Sequence, residues 1–195
     1  MGHDLHVHAR DPMETPMCEA VPSRPRRILV TGTSGSGKST LAAALAARTG
    51  LPYVELDALR HGPGWVPRPE FAAEGASLAA RDAWVTEWQY SALRPLLLER
   101  AELLVWLDLP RRLVFGRLVA RTLRRRLRRT VLWNGNVEPP LWTVFTDSGH
   151  LWRWAWRSHP RTARLVGEAQ ASGACPPVVR LRNRREVDAW LATVG

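Results

Sequence analysis

The chain has 195 residues, of which 45% are apolar and 24% charged, a composition typical of a single globular domain and not of a disordered chain. It contains no apolar run of the roughly 18 residues that a membrane-spanning helix needs, so we expect no membrane partner. The net charge of +10 is weak support for nucleic-acid binding. Lys38 is the only lysine among the 28 basic residues, and such a preference for arginine has the form of a general composition bias.

The first 25 residues predict a disordered N-terminal tail, because they are polar, contain proline and lack the apolar centre of a signal peptide. The tail histidines could bind a metal ion, although a solvated leader is the preferred interpretation. The two cysteines, Cys18 and Cys175, form no CxxC pair. We therefore expect a reduced, cytoplasmic and monomeric protein whose residues 26–195 fold as one domain.

Short apolar runs alternate with segments of helical periodicity along the rest of the chain. The runs predict strands over 26–32, 51–57, 83–90, 102–110 and 176–183. The segments between them predict helices over 38–50, 69–83, 91–101, 111–129, 148–170 and 184–194, the fifth in one or two pieces. Strands alternating with helices indicate an α/β fold in which helices cover both faces of a parallel sheet.

The segment GTSGSGKS, residues 32–39, fits the phosphate-binding loop pattern G-x-x-x-x-G-K-[ST] and lies between a predicted strand and a predicted helix. Glycines let the backbone amides turn inward around a phosphate chain, and the following helix directs its positive end at the same anion. We expect Lys38 to reach the β- and γ-phosphates of ATP, Ser39 to bind Mg²⁺, and Thr40 to support the helix start or contact the α-phosphate. The predicted nucleotide-binding loop comprises Gly32, Thr33, Ser34, Gly35, Ser36, Gly37, Lys38, Ser39 and Thr40.

The single lysine supports this interpretation. A compact, flexible ammonium fits between the loop backbone and the phosphates, and a planar guanidinium does not replace it. No NKxD motif and no DxxG switch follow the loop, which argues against a signalling GTPase. The chain is also short for an oligomeric motor ATPase, and a small ATP-dependent kinase remains.

Four segments resemble the adenylate-kinase-related family labelled DNA topology modulation proteins (FlaR-like): GTSGSGKSTLAAALAARTGLPYVELDAL, PGW, VWLDLPRRLVFGRLVAR and LWNGNVE. The resemblance runs from about residue 26 to the C-terminus. It implies a three-layer P-loop NTPase fold with a five-stranded parallel sheet of order 2-3-1-4-5 and helices on both faces. It also implies a helical, arginine-rich lid over about residues 117–160.

The same resemblance implies roles for two acidic residues. Asp57 matches an aspartate of the family's LDAL segment that faces the acceptor pocket, where it would bind acceptor hydroxyls, orient Mg²⁺ waters or act as a base; capping of the next segment is the structural alternative. Glu87 falls where the family commonly has the Asp of DGNY, near the Mg²⁺ waters. Because the tetrad here is EWQY, the indole of Trp88 replaces a glycine and could shrink the pocket or reshape acceptor binding. For Asp108, in WLDLP, closing a strand is preferred over Mg²⁺ binding.

Nine arginines and no acidic residue lie within residues 111–129. Arg117 and Arg121, four apart on one helix face, match arginines that contact adenine and phosphates in adenylate-kinase-like enzymes and neutralise transition-state charge. The others form a lid surface, an anionic-substrate patch or a solvated face: Arg124, Arg125, Arg126, Arg128 and Arg129.

Weaker expectations concern the ends of the sheet and the lid. Asn183 and Arg184 follow the fifth strand, where this fold wraps backbone around adenine, and Arg94 could reach an acceptor phosphate. The WNGN turn, residues 133–136, is a lid hinge or an acceptor-reading loop. The tryptophans of LWRWAWRSHPR either pack in the core or lid, which is preferred, or stack on nucleobases.

These observations predict an ATP- and Mg²⁺-dependent phosphotransferase. Lys38, Asp57, Arg117 and Arg121 would act in catalysis, and Ser39, Asp57 and Glu87 would surround the metal. The acceptor would be a nucleotide, a nucleoside or another small hydroxyl-bearing metabolite. Two alternatives stay open: a nucleotide-dependent nucleic-acid-binding or regulatory protein, and a degenerate kinase that binds ATP with little turnover.

Overall fold

The computed structural model describes residues 22–128, 130–136 and 151–194, and within 151–158 the backbone alone. Residues 1–21 of the predicted tail, which include Cys18, therefore lie outside the described residues. Arg129 and part of the predicted lid lie outside them as well. The side chains of Trp152, Trp154 and Trp156 also lie outside the description.

Strands and helices alternate as the sequence predicts. The strands are β1 (Arg27–Gly32), β2 (Tyr53–Val54), β3 (Trp84–Glu87), β4 (Leu103–Leu107) and β5 (Val178–Leu181). The helices are α1 (Lys38–Thr49), α2 (Leu56–Arg60), α3 (Phe71–Ala80), α4 (Arg94–Arg100), α5 (Arg111–Leu127), α6 (Leu151–Ala171) and α7 (Arg184–Ala192). Two 3₁₀ turns add Pro63–Trp65 and Trp133–Gly135.

The five strands form one parallel sheet of order β2-β3-β1-β4-β5, which confirms the predicted fold class. The central strand β1 pairs on both sides, with Ile28 beside Val85 of β3 and Leu103 of β4. Ile28, Leu29 and Val30 are fully buried, as expected for a parallel strand covered on both faces.

Helices cover both faces of the sheet. One core cluster joins the sheet to α3, α4 and α6, with Leu78, Leu97 and Val166 buried in it. The other joins the opposite face to α1, α5 and α7, with Leu45 and Val114 buried in it. The result is a three-layer α/β domain. Among the described residues, no helix combines the length and the apolar character needed to cross a bilayer.

The predicted second strand is wrong over most of its length. β2 contains only Tyr53 and Val54, and the chain then enters α2, so that Asp57 lies in the first turn of a helix and not at a strand end. The neighbouring strand limits β2, because Val54 already pairs with Thr86 and β3 ends one residue later. The fifth predicted helix is a single helix with Pro160 inside it, not two pieces.

Candidate active site

A cavity of about 650 Å³ lies at the carboxyl ends of β1 and β3, the edge where parallel α/β sheets bind their ligands. Its walls come from the phosphate loop, from the segment after β2, from the segment after β3, and from α5 and α6. The lining residues of the loop are Gly32, Thr33, Ser34, Lys38, Ser39 and Thr40. The cavity therefore brings together segments that are distant in the sequence.

The loop residues that do not line this cavity shape the turn. Gly35 and Gly37 have φ values of 90° and 95°, in the left-handed region that favours glycine. The Ser36 amide donates to the Thr33 carbonyl at 2.9 Å, which closes the turn. Gly37 is the N-cap of α1, and no side chain caps the helix there. The helix therefore begins with backbone donors available to an anion.

Gly35 also determines how closely the loop approaches α5. A Cβ atom at this position would lie 2.6 Å from the Val114 carbonyl oxygen and 2.9 Å from Leu118 Cβ. We expect Gly35→Ala to destabilise the fold by about 2–5 kcal/mol, since left-handed backbone costs about 1–2 kcal/mol and overpacking about 1–3 kcal/mol. Chemical denaturation measures the loss. Gly37→Ala is the matched control, because it shares the positive φ but its Cβ would meet no atom within 4 Å. Equal losses in the two variants would contradict the packing argument.

Lys38 carries its charge in an enclosed position. Burial lowers the pKa of its ammonium group, and Arg121 lowers this pKa further, while the carboxylates of Asp57 and Glu87 oppose the shift. An anion at the loop would supply the missing countercharge, as the phosphate chain of a nucleotide does.

Asp57 lines the cavity and is held by two donors. Its Oδ1 accepts hydrogen bonds from the Tyr90 hydroxyl at 2.6 Å and from Gln89 Nε2 at 2.8 Å. The Tyr90 hydroxyl also lies 3.2 Å from His61 Nε2. Burial, followed by the charge of Asp57, raises the pKa of Tyr90, so the phenol stays a donor. The N-cap position of α2 belongs to Glu55 and not to Asp57, which removes the capping interpretation.

Glu87 is placed differently from Asp57. It is 1% exposed and does not line the cavity. Its carboxylate accepts from the Tyr53 hydroxyl at 2.8 Å and from the Leu56 amide at 3.4 Å. These contacts fix the turn from β2 into α2. Its role beside a metal stays a prediction.

Glu55 is a cavity residue that the sequence analysis missed. It lines the cavity two positions before Asp57, and its Oε2 accepts from Trp133 Nε1 at 2.8 Å. Burial raises the pKa of its carboxyl group, and the hydrogen bond from Trp133 opposes this shift. The sequence signal that could have identified Glu55 is its position two residues before Asp57, which makes it a second acid in the same short segment.

The oxygen donors on the wall fit a magnesium ion that also binds phosphates. Ser39, Glu55 and Asp57 all line the cavity. The part of the chain that the structure describes contains no cluster of three or more His, Cys, Asp or Glu residues able to cage a metal. Mg²⁺ suits such a place, because it usually keeps several waters and binds one or two carboxylates together with substrate phosphates.

The arginines of α5 divide between the cavity and the solvent. Arg121 and Arg125 line the cavity, whereas Arg117 is not among its lining residues. Arg94 and Arg161 of α4 and α6 line it as well. Burial and the charge of Arg161 lower the pKa of Arg94. The wall therefore gathers positive charge next to the phosphate loop, and Arg161 is a contribution that the sequence analysis missed.

Asn183 and Arg184 do not line this cavity. Asn183 is the N-cap of α7, where Oδ1 accepts from the Glu186 amide at 2.9 Å and Nδ2 donates to the Glu186 carboxylate at 2.5 Å. Arg184 pairs with Asp188 one turn later. Their predicted nucleotide contact stays a prediction, and the capping pattern Asn-x-x-Glu is the signal that the sequence analysis overlooked.

We expect Asn183→Ala to destabilise the protein by about 1 kcal/mol, the usual effect of losing an N-cap. In a domain of this size the midpoint of thermal unfolding then falls by about 2–4 °C. Asn183→Asp keeps the acceptor and should restore most of the loss. A raised KM for ATP in Asn183→Ala with an unchanged midpoint would instead favour nucleotide binding.

Asp108 accepts from Arg180 Nη2 at 2.5 Å and from Nε at 2.9 Å. This ion pair ties the end of β4 to β5, in keeping with the preferred structural interpretation.

Trp88 is 8% exposed, donates from Nε1 to the Arg94 carbonyl at 3.0 Å and belongs to a core cluster, while also lining the cavity. The indole therefore forms part of the cavity wall, and its effect on acceptor binding stays a prediction.

The WNGN turn contacts the segment that follows β2. Trp133 donates to Glu55, and Asn134 Nδ2 donates to the His61 carbonyl. Asn136 is 4% exposed; its Oδ1 accepts from the Trp65 amide at 3.0 Å and its Nδ2 donates to the Gly62 carbonyl at 2.9 Å. The turn is thus fixed against the segment that carries Asp57, and Trp133 lines the cavity.

No protein-family model and no curated protein matches the chain. Solved structures do. A gluconokinase from Sinorhizobium meliloti 1021 is 25% identical, with 87% of this chain and 93% of that chain covered and a TM-score of 0.49. A shikimate kinase from Acinetobacter baumannii is 17% identical, with coverage of 86% and 92% and a TM-score of 0.48.

A candidate kinase from Chloroflexus aurantiacus j-10-fl is 15% identical, with coverage of 87% and 96% and a TM-score of 0.51. At this identity the similarity concerns the fold alone. The chain has the α/β fold of P-loop kinases, whereas membership of the DNA topology modulation family stays a prediction.

Proposed function

We propose that the chain is an ATP-dependent kinase that transfers the γ-phosphoryl group to a small acceptor. The observation that carries this proposal is one cavity with the phosphate loop on one wall and the Asp57 carboxylate on another. A switch GTPase or a motor needs no second small-molecule site beside its phosphates. The shared fold with a candidate kinase supports the same class of activity.

The donor half of the site is the phosphate loop. The amides of residues 33–38 and the start of α1 would bind the phosphate chain, and Lys38 would contact the β- and γ-phosphates. Arg121, on the facing wall, would neutralise charge that builds up on the transferred group. Arg117 would contact the nucleotide only outside this cavity, since it is not among the lining residues.

The metal would be held by Ser39 and by an acid of the cavity wall, for which Asp57 and Glu55 are the candidates. When bound, Mg²⁺ would offset the negative charge of the phosphates. Glu87 would act through its neighbours, because its bonds to Tyr53 and Leu56 fix the turn that carries both acids.

The acceptor half is organised by Asp57. With its Oδ1 held by Tyr90 and Gln89, the carboxylate has a fixed orientation and can accept the proton of an acceptor hydroxyl. Phosphoryl transfer needs little covalent chemistry from the protein, so most of the rate would come from in-line positioning and charge neutralisation.

The test is an acceptor screen with ATP and Mg²⁺, in which the phosphorylated product is identified by mass spectrometry. An acceptor that accelerates ATP loss and gains one phosphoryl group supports the proposal. ATP binding without turnover across the screen would contradict it and select the degenerate kinase. Binding to DNA or RNA that falls steeply with salt concentration, with no acceptor turnover, would select the nucleic-acid-binding alternative.

A further inference from the structure

Four aromatic side chains form a continuous row along the acceptor wall of the cavity: His61, Trp65, Tyr90 and Trp133, called the ring row here. His61 meets Trp65 and Tyr90 edge-on at centroid distances of 5.3 and 6.5 Å, and Trp65 meets Trp133 at 6.3 Å. Behind the row, Phe71 packs edge-on against Tyr90 at 5.0 Å. Contacts of this geometry are the favourable ones between aromatic rings.

The ring row is held in place by hydrogen bonds to residues beside it. The buried Asn136 binds the Trp65 amide and the Gly62 carbonyl, and Glu55 binds the indole of Trp133. Trp65 and Tyr90 both have left-handed backbone, with φ values of 63° and 61°. Non-glycine residues keep this conformation only where their surroundings enforce it, and such residues concentrate at ligand sites. The row is therefore a preorganised surface.

Polar groups on this wall are largely engaged within the protein. Asp57 already accepts two hydrogen bonds, and Glu55 accepts one. A polyhydroxylated acceptor would need many free partners to replace its water, since each unpaired polar group lost to burial is costly. A planar ring needs few, and it gains by stacking on aromatic side chains.

We propose that the acceptor carries a planar aromatic or heteroaromatic ring that binds against the ring row, with its phosphoryl-accepting group held at Asp57. This inference rests on the proposed kinase function and adds a substrate class to it. Sugars, sugar acids and polyols without an aromatic ring are excluded as preferred acceptors.

Ribonucleosides and free ribose are matched probes, because both carry ribose hydroxyl groups and only the ribonucleosides carry an aromatic base. We expect kcat/KM to be higher by about tenfold or more for the acceptors with an aromatic ring than for ribose. Trp65→Leu should lower kcat/KM for these acceptors about 5- to 150-fold, mainly through KM, the range that one stacked base spans. Trp65→Phe should keep most of the preference. Val66→Ala is the control, because Val66 is exposed beside Trp65 and does not line the cavity.

Calorimetric titration of the same compounds, with a non-hydrolysable ATP analogue present, gives a readout that needs no turnover. Ring compounds that bind the wild type and lose affinity in Trp65→Leu, but not in Val66→Ala, support the ring site. Equal or faster turnover of ribose, gluconate or glycerol overturns it and leaves the kinase function standing. Ring compounds that bind while no acceptor is phosphorylated support the ring site and overturn the kinase function. Failure of every ring compound to bind overturns the ring site.

Discussion

Replacing Lys38 with arginine is expected to lower kcat/KM for ATP by about 10²- to 10³-fold, the loss that follows removal of one preorganised donor from a charged transition state. The exchange keeps the positive charge but replaces a compact ammonium with a planar guanidinium. Lys38 is half-buried on the cavity wall beside the loop backbone, and burial lowers its pKa. The larger group would therefore have to displace either the loop backbone or the phosphates.

Steady-state kinetics with the best acceptor from the screen, together with equilibrium binding of an ATP analogue, measure this effect. Arg81→Lys is the reverse exchange at an exposed position and should leave both quantities unchanged. Thermal unfolding should show that Lys38→Arg remains folded. A variant with wild-type kcat/KM would mean that Lys38 does not contact the transferred phosphates.

Replacing Asp57 with asparagine is expected to lower kcat by about 10²- to 10⁴-fold, the usual range for a positioned acid or base, with a small effect on the KM for ATP. The fold should persist, because the asparagine oxygen can still accept from Tyr90 and Gln89 as Asp57 Oδ1 does. What the variant loses is the negative charge beside the acceptor and the metal.

Two control variants separate the roles of the neighbouring groups. Tyr90→Phe removes one donor to Asp57 and keeps the carboxylate, so kcat should fall less than in Asp57→Asn. Glu87→Gln keeps an acceptor for Tyr53 and Leu56. If Glu87 contacts the metal, this variant will need more Mg²⁺; if it only fixes the turn, the Mg²⁺ dependence will not change. Near-wild-type kcat in Asp57→Asn would contradict the acceptor-site assignment.

Local sequence patterns correctly predicted the turn of the phosphate loop and the positions of most helices. Gly32 to Ser39 is contiguous, and its turn depends on glycine backbone and on the start of α1, both of which are short-range features. The sheet order came from the resemblance and is confirmed. The helical position of Asp57 was missed, because the length of β2 depends on where its partner strand β3 ends.

The arginines of residues 111–129 show the same limit of prediction from the sequence. The nine arginines of residues 111–129 look alike in the sequence, yet Arg121 and Arg125 line the cavity and Arg117 does not. Helical spacing predicts which of them share a face, but the packing of α5 on the loop at Val114 and Leu118 decides which face meets the cavity.

The phosphate-loop half of the candidate site was readable from the sequence, because such a loop uses neighbouring residues whose backbone geometry is encoded locally. The half proposed to bind the acceptor became visible only in the folded chain. His61 and Trp65, Tyr90, and Trp133 come from three segments separated by 25 or more residues, and they meet through edge contacts and through the bonds of Asn136. Contacts between distant segments depend on how the layers pack, and no local pattern records them.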